Sequence, residues 1–438
     1  MLPQDDPLLP QPEQREITVG PQGADVVGSD GRAIQIAIDA LAHQGGGTVR
    51  LRPGTYVLQD ALRLRSRIAL IGEPGQVLLK RAPVAVSMLA ADADIGERIL
   101  IPRDPKAFRV GMGLILRDRN HANPMSTMPV RITHIAADGI VHIDQHLTIE
   151  VYAENGASVV NYAPMIHGFE IEDIRIEGLV IDGSADRSDG LEGVWGGGIY
   201  VRRCVRGTIR NVVSKNNLGD GIRFGQSLQM RVENCETAGN SHYGIHPGSH
   251  SPYTVISKCH VHGNGSDGVY LCWGARHSVV ADCHIHHNGH AFFRNGISTG
   301  HKDTDCRFER NHIHDNVKHG IVFRIKTEAN GAHRTTVVDN LIENNGLPDA
   351  AVPQRLRNEP PRQVKGHGIF VFGVTHDLRF ERNVIRETRQ GDQRLQRTGM
   401  YFAPGVSRVN LDNNTIQGHP EQDLVDEAGV VATSSARG

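Results

Sequence analysis

The feature that most constrains this chain is a repeat of about 24 residues, a period that belongs to stacked, solenoidal folds rather than to a single compact core. The segments 211–216, 235–240, 259–264, 283–288, 311–316 and 340–345 each begin with Asn or Cys and carry Asn five residues later. Their first residues step by 24, 24, 24, 28 and 29, and Asn383-Val-Ile and Asn414-Thr-Ile continue the series. A short glycine-led segment follows each: Gly221-Ile-Arg-Phe, Gly244-Ile-His-Pro, Gly268-Val-Tyr-Leu, Gly296-Ile-Ser-Thr, Gly320-Ile-Val-Phe, Gly368-Ile-Phe-Val. Two strands per coil are implied. A side-chain period of two then turns Ile222, Ile245, Val269, Ile297, Ile321 and Ile369 inward, and Arg223, His246, Tyr270, Ser298 and Val322 outward. The Asn/Cys column is also internal, since stacked amides bond one another and cysteine acts as a small hydrophobe. The fold class expected is all-β, a right-handed parallel β-helix of about nine coils between residues 170 and 418, roughly 40 Å long.

Outside the coils the texture changes. Residues 1–16 are rich in Pro and Gln and read as a loose arm. In 17–82, Ser29-Asp30-Gly31 precedes Ile34, Ile38 and Leu41 at i, i+4 and i+7, an amphipathic helix placed to cap the solenoid before the first coils at Thr48–Val57 and Arg67–Gly72. Residues 83–165 lose the coil pattern and alternate, as in Val130-Arg-Ile-Thr-His-Ile135, which predicts a small inserted antiparallel β-subdomain. The β-helix then occupies 166–418 and a tail 419–438.

Composition narrows the partners. Among 438 residues, 47 basic against 49 acidic give a formal charge of -2, so neither nucleic acid nor a membrane surface is expected as a partner. No stretch approaches the roughly 20 apolar residues of a membrane span. Met1–Pro7 lacks the basic and apolar regions of a secretory signal, which leaves localisation open. Three of six cysteines, Cys235, Cys259 and Cys283, fall on the internal ladder and read as buried thiols. The pairs His260/His262, His284/His286 and His312/His314 recur outward, but no pair brings a carboxylate at its own repeat position, so they read as an imidazole stack and no metal is expected. Calcium at Asp303 and Asp305 is opposed by the neighbouring His301 and Lys302. No cofactor is expected, and a monomer and a homo-oligomer are equally admissible.

The outward column Tyr200, Arg223, His246, Tyr270 and Ser298, with Arg202, Gly225, Gly248, Cys272, Gly300 and Arg324 beside it, resembles a groove for an extended polar chain. Trp273 is available to stack on a sugar ring, or is an ordinary packed aromatic. Two acidic clusters flank the column. Asp182 and Asp189 lie in a glycine-bounded loop and are the pair to catalyse glycoside cleavage; the bland reading is turn capping before Gly183 and Gly190. Asp220 and Asp267, each before a glycine, carry the same alternative. His301, Lys302 and Asp303 follow Gly300 and read as groups that fix substrate hydroxyls or support a carboxylate.

The 28–39 segment Gly-Ser-Asp-Gly-Arg-Ala-Ile-Gln-Ile-Ala-Ile-Asp, with Gly45-Gly-Gly-Thr-Val and Pro53-Gly-Thr-Tyr56, resembles the N-terminal cap of the pectate-lyase-like β-helix superfamily of carbohydrate-active enzymes. His246-Pro-Gly-Ser249, Asp267–Gly274 and Gly296–Asp305 are similar to blocks of β-helix glycoside hydrolases of the lacto-N-biosidase type, where two nearby aspartates catalyse; Asp182 and Asp189 match them. The resemblance implies a glycoside hydrolase, or related glycosyl-transferring enzyme, on an oligo- or polysaccharide. Arg223, His246, Tyr270, Trp273, His301, Lys302, Asp303, Arg324, Asp220 and Asp267 would hold the substrate. The alternatives are a polysaccharide lyase or uronate C5-epimerase with a Tyr or His base and Arg or Lys neutralisation, and a non-catalytic glycan-binding solenoid.

Overall fold

The computed structural model describes residues 15–121, 128–161, 164–184, 196–356 and 359–431. Three long parallel sheets wind around one apolar column that runs from Val19 to Val406, forming a right-handed parallel β-helix. A coil passes through sheet A (Leu228–Glu233), sheet B (Glu236–Ala238) and sheet C (Ile245–Gly248) before re-entering sheet A at Val255–Ser257. The sequence repeat captured sheets B and C only. Sheet A went unread because Val255-Ile-Ser257 and Val279-Val-Ala281 carry no glycine or asparagine marker, only one inward apolar residue each.

From Glu172 onward the corner between sheets A and B is tight and of constant length. One residue, such as Asn234, Lys258, Asp282, Arg310 or Asp339, takes a left-handed conformation with φ of 52, 54, 56, 51 and 57°, and this bends the strand sharply inward. The next residue is the buried ladder position: Cys259 N donates to Cys283 Sγ, Cys283 N to Asn311 Oδ1, and Asn311 N to Asn340 Oδ1. The first repeat segment is out of register by one. Val213 pairs with Glu236, so Val212 and Asn217, rather than Asn211 and Asn216, hold the internal positions. Asn211 takes the left-handed corner instead and accepts from Asn234. A one-residue slip exchanges inside for outside, which is why the error matters.

A second ladder closes the corner between sheets B and C. Asn240 Nδ2 donates to Asn264 Oδ1 at 2.9 Å, Asn264 to Asn288 at 2.8 Å, Asn288 to Asn316 at 3.0 Å and Asn316 to Asn345 at 3.0 Å. Each Oδ1 also accepts a backbone N–H from the coil before, and Asn264 Nδ2 reaches Thr237 O. Every buried donor and acceptor of Asn264 is thereby matched, which a buried amide requires.

The helix Gly31–His43 caps the first coils, with Asp30 accepting from Arg32 N and Ala33 N and Ile34, Ile38 and Leu41 buried. The inserted subdomain is a six-stranded antiparallel sheet spanning Val86 to Val160, with its own core around Leu114, Leu116, Ile132 and Val141. At the other end Gln422–Asp426 pairs in parallel with Gln396–Phe402, so part of the 419–438 tail extends sheet C. Asn264→Leu should destabilise the protein by about 3 kcal/mol, since it leaves two neighbouring amides unpaired; chemical denaturation of folded variant and parent measures the difference.

Candidate active site

Variation in coil length locates the functional face. From Glu172 onward two residues separate sheet A from sheet B in every described coil, as between Glu233 and Glu236, Ser257 and His260, or Glu309 and His312; only the early corner from Ile71 to Val77 is longer. Among the described residues the longest excursions fall at the two edges of sheet C: the subdomain between Arg81 and Ile166, the segment between Glu343 and Gly366, and the crossing between Phe323 and Thr336 that carries Glu328–Asn330. Sheet C is the face bordered by loops, where binding groups collect.

Its outward ladder follows the predicted register. His167, Tyr200, Arg223 and His246 pair coil by coil, and Tyr270 pairs with Ser298. At its N-terminal end the ladder enters a cleft of about 850 Å³ between the subdomain and sheet C. Arg63, Arg65, Arg131, Arg202 and His167 line this cleft against Asp144 and Glu170. Burial and the charge of Arg63 lower the proton affinity of Arg131, a sign of crowded cations.

At the centre, Asp220 is fully buried and gathers four donors: His242 Nδ1 and His246 Nδ1 at 3.0 Å each, Tyr243 N at 3.2 Å and Arg223 Nη1 at 3.3 Å. Burial raises its carboxyl, but the hydrogen bonds from His242 and His246 outweigh this and hold it well below the usual range. Burial and the nearby Arg223 lower His246 to about 4, despite Asp220, so its ring is neutral near pH 7. With Nδ1–H on Asp220, the lone pair of His246 is on Nε2, which lies beside Gly248; a Cβ there would stand 3.3 Å from it.

Tyr270 packs edge-on to His246, with centroids 5.0 Å apart, and stacks on Tyr243 at 4.4 Å. The Arg324 guanidinium sits 4.3 Å from its ring centroid. Burial raises the Tyr270 phenol above its ordinary value, with Arg324 offsetting part of the rise, so the hydroxyl keeps its proton. Arg324 is held by Leu271 O, Gly300 O and Asp303, while its buried Nε and Nη1, like Nε of Arg223, have no partner within the chain. Two guanidinium groups therefore sit beside the ladder with buried N–H donors left unpaired.

Asp220, Asp267 and Asp303 beneath this face are buried, and each accepts hydrogen bonds, although Oδ2 of Asp267 has no partner within the chain. Asp267 accepts from Asn295 Nδ2 and Ser298 Oγ. Asp303 accepts from Gly274 N, Ala275 N and Gly300 N as well as Arg324. Burial pushes Asp303 up to about 6. Asp220, Asp267 and Asp303, expected to bind substrate, are instead supports one layer down. The calcium reading also loses its geometry, because Asp303 turns to the backbone while Asp305 pairs with Arg334 at 2.7 Å.

Asp182 belongs to sheet B, where it accepts from Ser184 N at 2.9 Å and Asn216 Nδ2 at 3.2 Å, the turn-capping geometry. Its proposed partner Asp189 lies outside the described residues. Trp273 is 54% exposed and meets His301 edge-on at 5.2 Å, leaving an aromatic face for a ligand. Lys302 is exposed beside it. Tyr243, His242 and Arg294 are additions. They sit in the turns before sheet C, and a column was there to be read: Asp220, Tyr243, Asp267, Asn295, His319 and His367 each precede the strand's leading glycine.

The family model described as "Right handed beta helix region" matches residues 130–328. The A-module of the mannuronan C-5 epimerase AlgE4 of Azotobacter vinelandii superposes with a TM-score of 0.50 at 16% identity, over 91% of this chain and 97% of that one. ORF18 of Geobacillus virus E2 gives 0.53 at 12% identity, over 94% and 62%. An exopolygalacturonase from Thermotoga maritima gives 0.46 at 15% identity, over 93% and 90%. No curated protein sequence matches the chain.

His167 and His367, like His246, are lowered to about 4 by burial. A histidine whose folded value lies below its unfolded one favours folding fully above about 6.5, and that contribution is lost as pH falls to about 4. Thermal melts should therefore weaken across this window, and His246→Gln should flatten part of the slope. At these identities the solved structures speak for architecture alone, and that architecture is the right-handed parallel β-helix.

Proposed function

We propose that the protein is a carbohydrate-active enzyme that removes the C5 proton of a uronate residue in an anionic polysaccharide, as a lyase or C5-epimerase. The observation that carries this reading is the neutral His246 and protonated Tyr270 in ring contact, beside Arg223 and Arg324 with unpartnered donors. A proton next to a carboxylate is acidic enough to remove only when the carboxylate charge is neutralised, the task two guanidinium groups suit. The cationic cleft at the end of the same ladder suits the neighbouring sugars of such a polymer. A fold shared with a mannuronan C-5 epimerase module is in keeping with it.

In this mechanism His246 Nε2 takes the C5 proton, and the electron pair passes into the carboxyl group held by Arg223 and Arg324. Asp220 keeps the imidazole in the tautomer with Nε2 bare and balances the imidazolium that forms. The intermediate then has two exits. Tyr270 returns a proton to C5 from the other side and inverts the centre, or it protonates O4 as the C4–O4 bond breaks, leaving a C4=C5 double bond. Trp273 supplies a stacking surface for a more distant sugar.

Incubation with a panel of uronate polymers in deuterated water should give deuterium at C5 or unsaturated chain ends. His246→Gln and Tyr270→Phe should each lower turnover by about 10²- to 10⁴-fold with folding unchanged. New reducing ends without unsaturation would favour hydrolysis, and with it the Asp182 and Asp189 pair. Tight binding without any product would favour a glycan-binding solenoid.

A further inference from the structure

The opposite flank of the solenoid carries a second array that the proposed reaction does not use. On the outer side of sheet B, His260, His284 and His312 pair in register, and beside them His262, His286 and His314. Neighbouring rings in each column stack at 5.0–5.1 Å or 4.9 Å. The hydrogen bonds run diagonally, from one column to the other one coil on. His260 Nε2 meets His286 Nε2 at 2.7 Å, and His284 Nε2 meets His314 Nε2 at 2.7 Å.

These are contacts between two ring nitrogens, of which only one can bear the hydrogen. Two protonated imidazoles cannot approach in this way, so the array is largely neutral. Neutral imidazoles are ligands for borderline divalent ions, above all zinc.

The diagonals end on carboxylates. His262 Nε2 meets Glu236 Oε1 at 3.2 Å, and His312 Nε2 meets Glu343 Oε1 at 2.9 Å. The parallel register brings these two carboxylates from the adjoining coils, one to each end of the array. Ligand nitrogens of His260, His262 and His286, and likewise of His284, His312 and His314, lie within 4.8 Å of one another. At a zinc–nitrogen distance of about 2.0–2.1 Å, three nitrogens in a tetrahedral shell stand about 3.3 Å apart, within reach of small side-chain rotations.

The tautomers are set for this. His314 Nδ1 donates to Asp315 Oδ2 at 2.7 Å, which leaves its Nε2 bare, the arrangement that carboxylates enforce on zinc-binding histidines. We propose that the two histidine trios are zinc-class sites, His284, His312 and His314 with Glu343 at hand and His260, His262 and His286 with Glu236 at hand. Metal replaces the hydrogen shared between Nε2 atoms, and the proton of His284 moves to its own Nδ1. This stands apart from the sugar chemistry on sheet C.

The test uses full-length, untagged protein stripped with a chelator, titrated with zinc by calorimetry and with cobalt(II) by visible absorption. Saturable uptake is expected at a dissociation constant of about 1 μM or tighter, one ion per trio. His284→Ala and His284→Gln should abolish uptake at the second trio. Asp315→Asn, which touches no ion, should weaken that site by about 10-fold. His333→Ala, in the separate Glu328, His333 and His376 group, should change neither. Absence of saturable uptake at zinc concentrations up to about 1 mM, or uptake unchanged in both His284 variants, would overturn the proposal.

Discussion

The amide ladder through Asn240, Asn264, Asn288, Asn316 and Asn345 is the constraint on which the rest of the molecule depends. A corner between two strands strands its backbone groups away from any sheet, and burying them unpaired would cost several kcal/mol per coil. Asparagine supplies both a donor and an acceptor at the end of a short side chain, so each one satisfies backbone groups in the coil before it and hands its remaining amide bond to the asparagine of the next. Because the repair is passed along the stack, coils cannot shift relative to one another. The outward groups of sheet C inherit that precision: His246 and Tyr270 are placed by the same register that pairs Ile245 with Val269.

The ladder also explains what the sequence made legible. Residues that repeat because they are buried, Cys259, Asn288 or Ile297, announce the fold and the inward and outward senses of sheets B and C. Asn211 misled because asparagine is favoured for two unrelated reasons, its amide in the internal ladder and its tolerance of a left-handed backbone at the corner one residue earlier. Sheet A stayed silent because its strands are defined by pairing alone.

The site was legible in its ladder and not in its depth. Arg223, His246, Tyr270 and Arg324 were found as outward positions and do converge. Whether an aspartate faces the groove or lies beneath it depends on which way a turn folds, and Asp220, Asp267 and Asp303 all fold under. There they serve as anchors for His246, Ser298 and Arg324. Tyr243 stands in the column before the leading glycines, a fixed place, whereas Arg294 comes from a turn of irregular length and no spacing pointed to it. The histidine array shows the same limit from the other side: Glu236 and Glu343 belong to neighbouring coils, and only the pairing of strands brings them to it.

The uneven distribution of chain length among the three corners has a further consequence. In the coils that carry the Cys/Asn ladder, a residue added where sheet A meets sheet B would break it, whereas the borders of sheet C have already absorbed an entire six-stranded subdomain without disturbing the stack. Specificity can thus be rewritten by splicing new walls onto a scaffold that does not have to be redesigned, in the way a lathe accepts different tools against one fixed spindle.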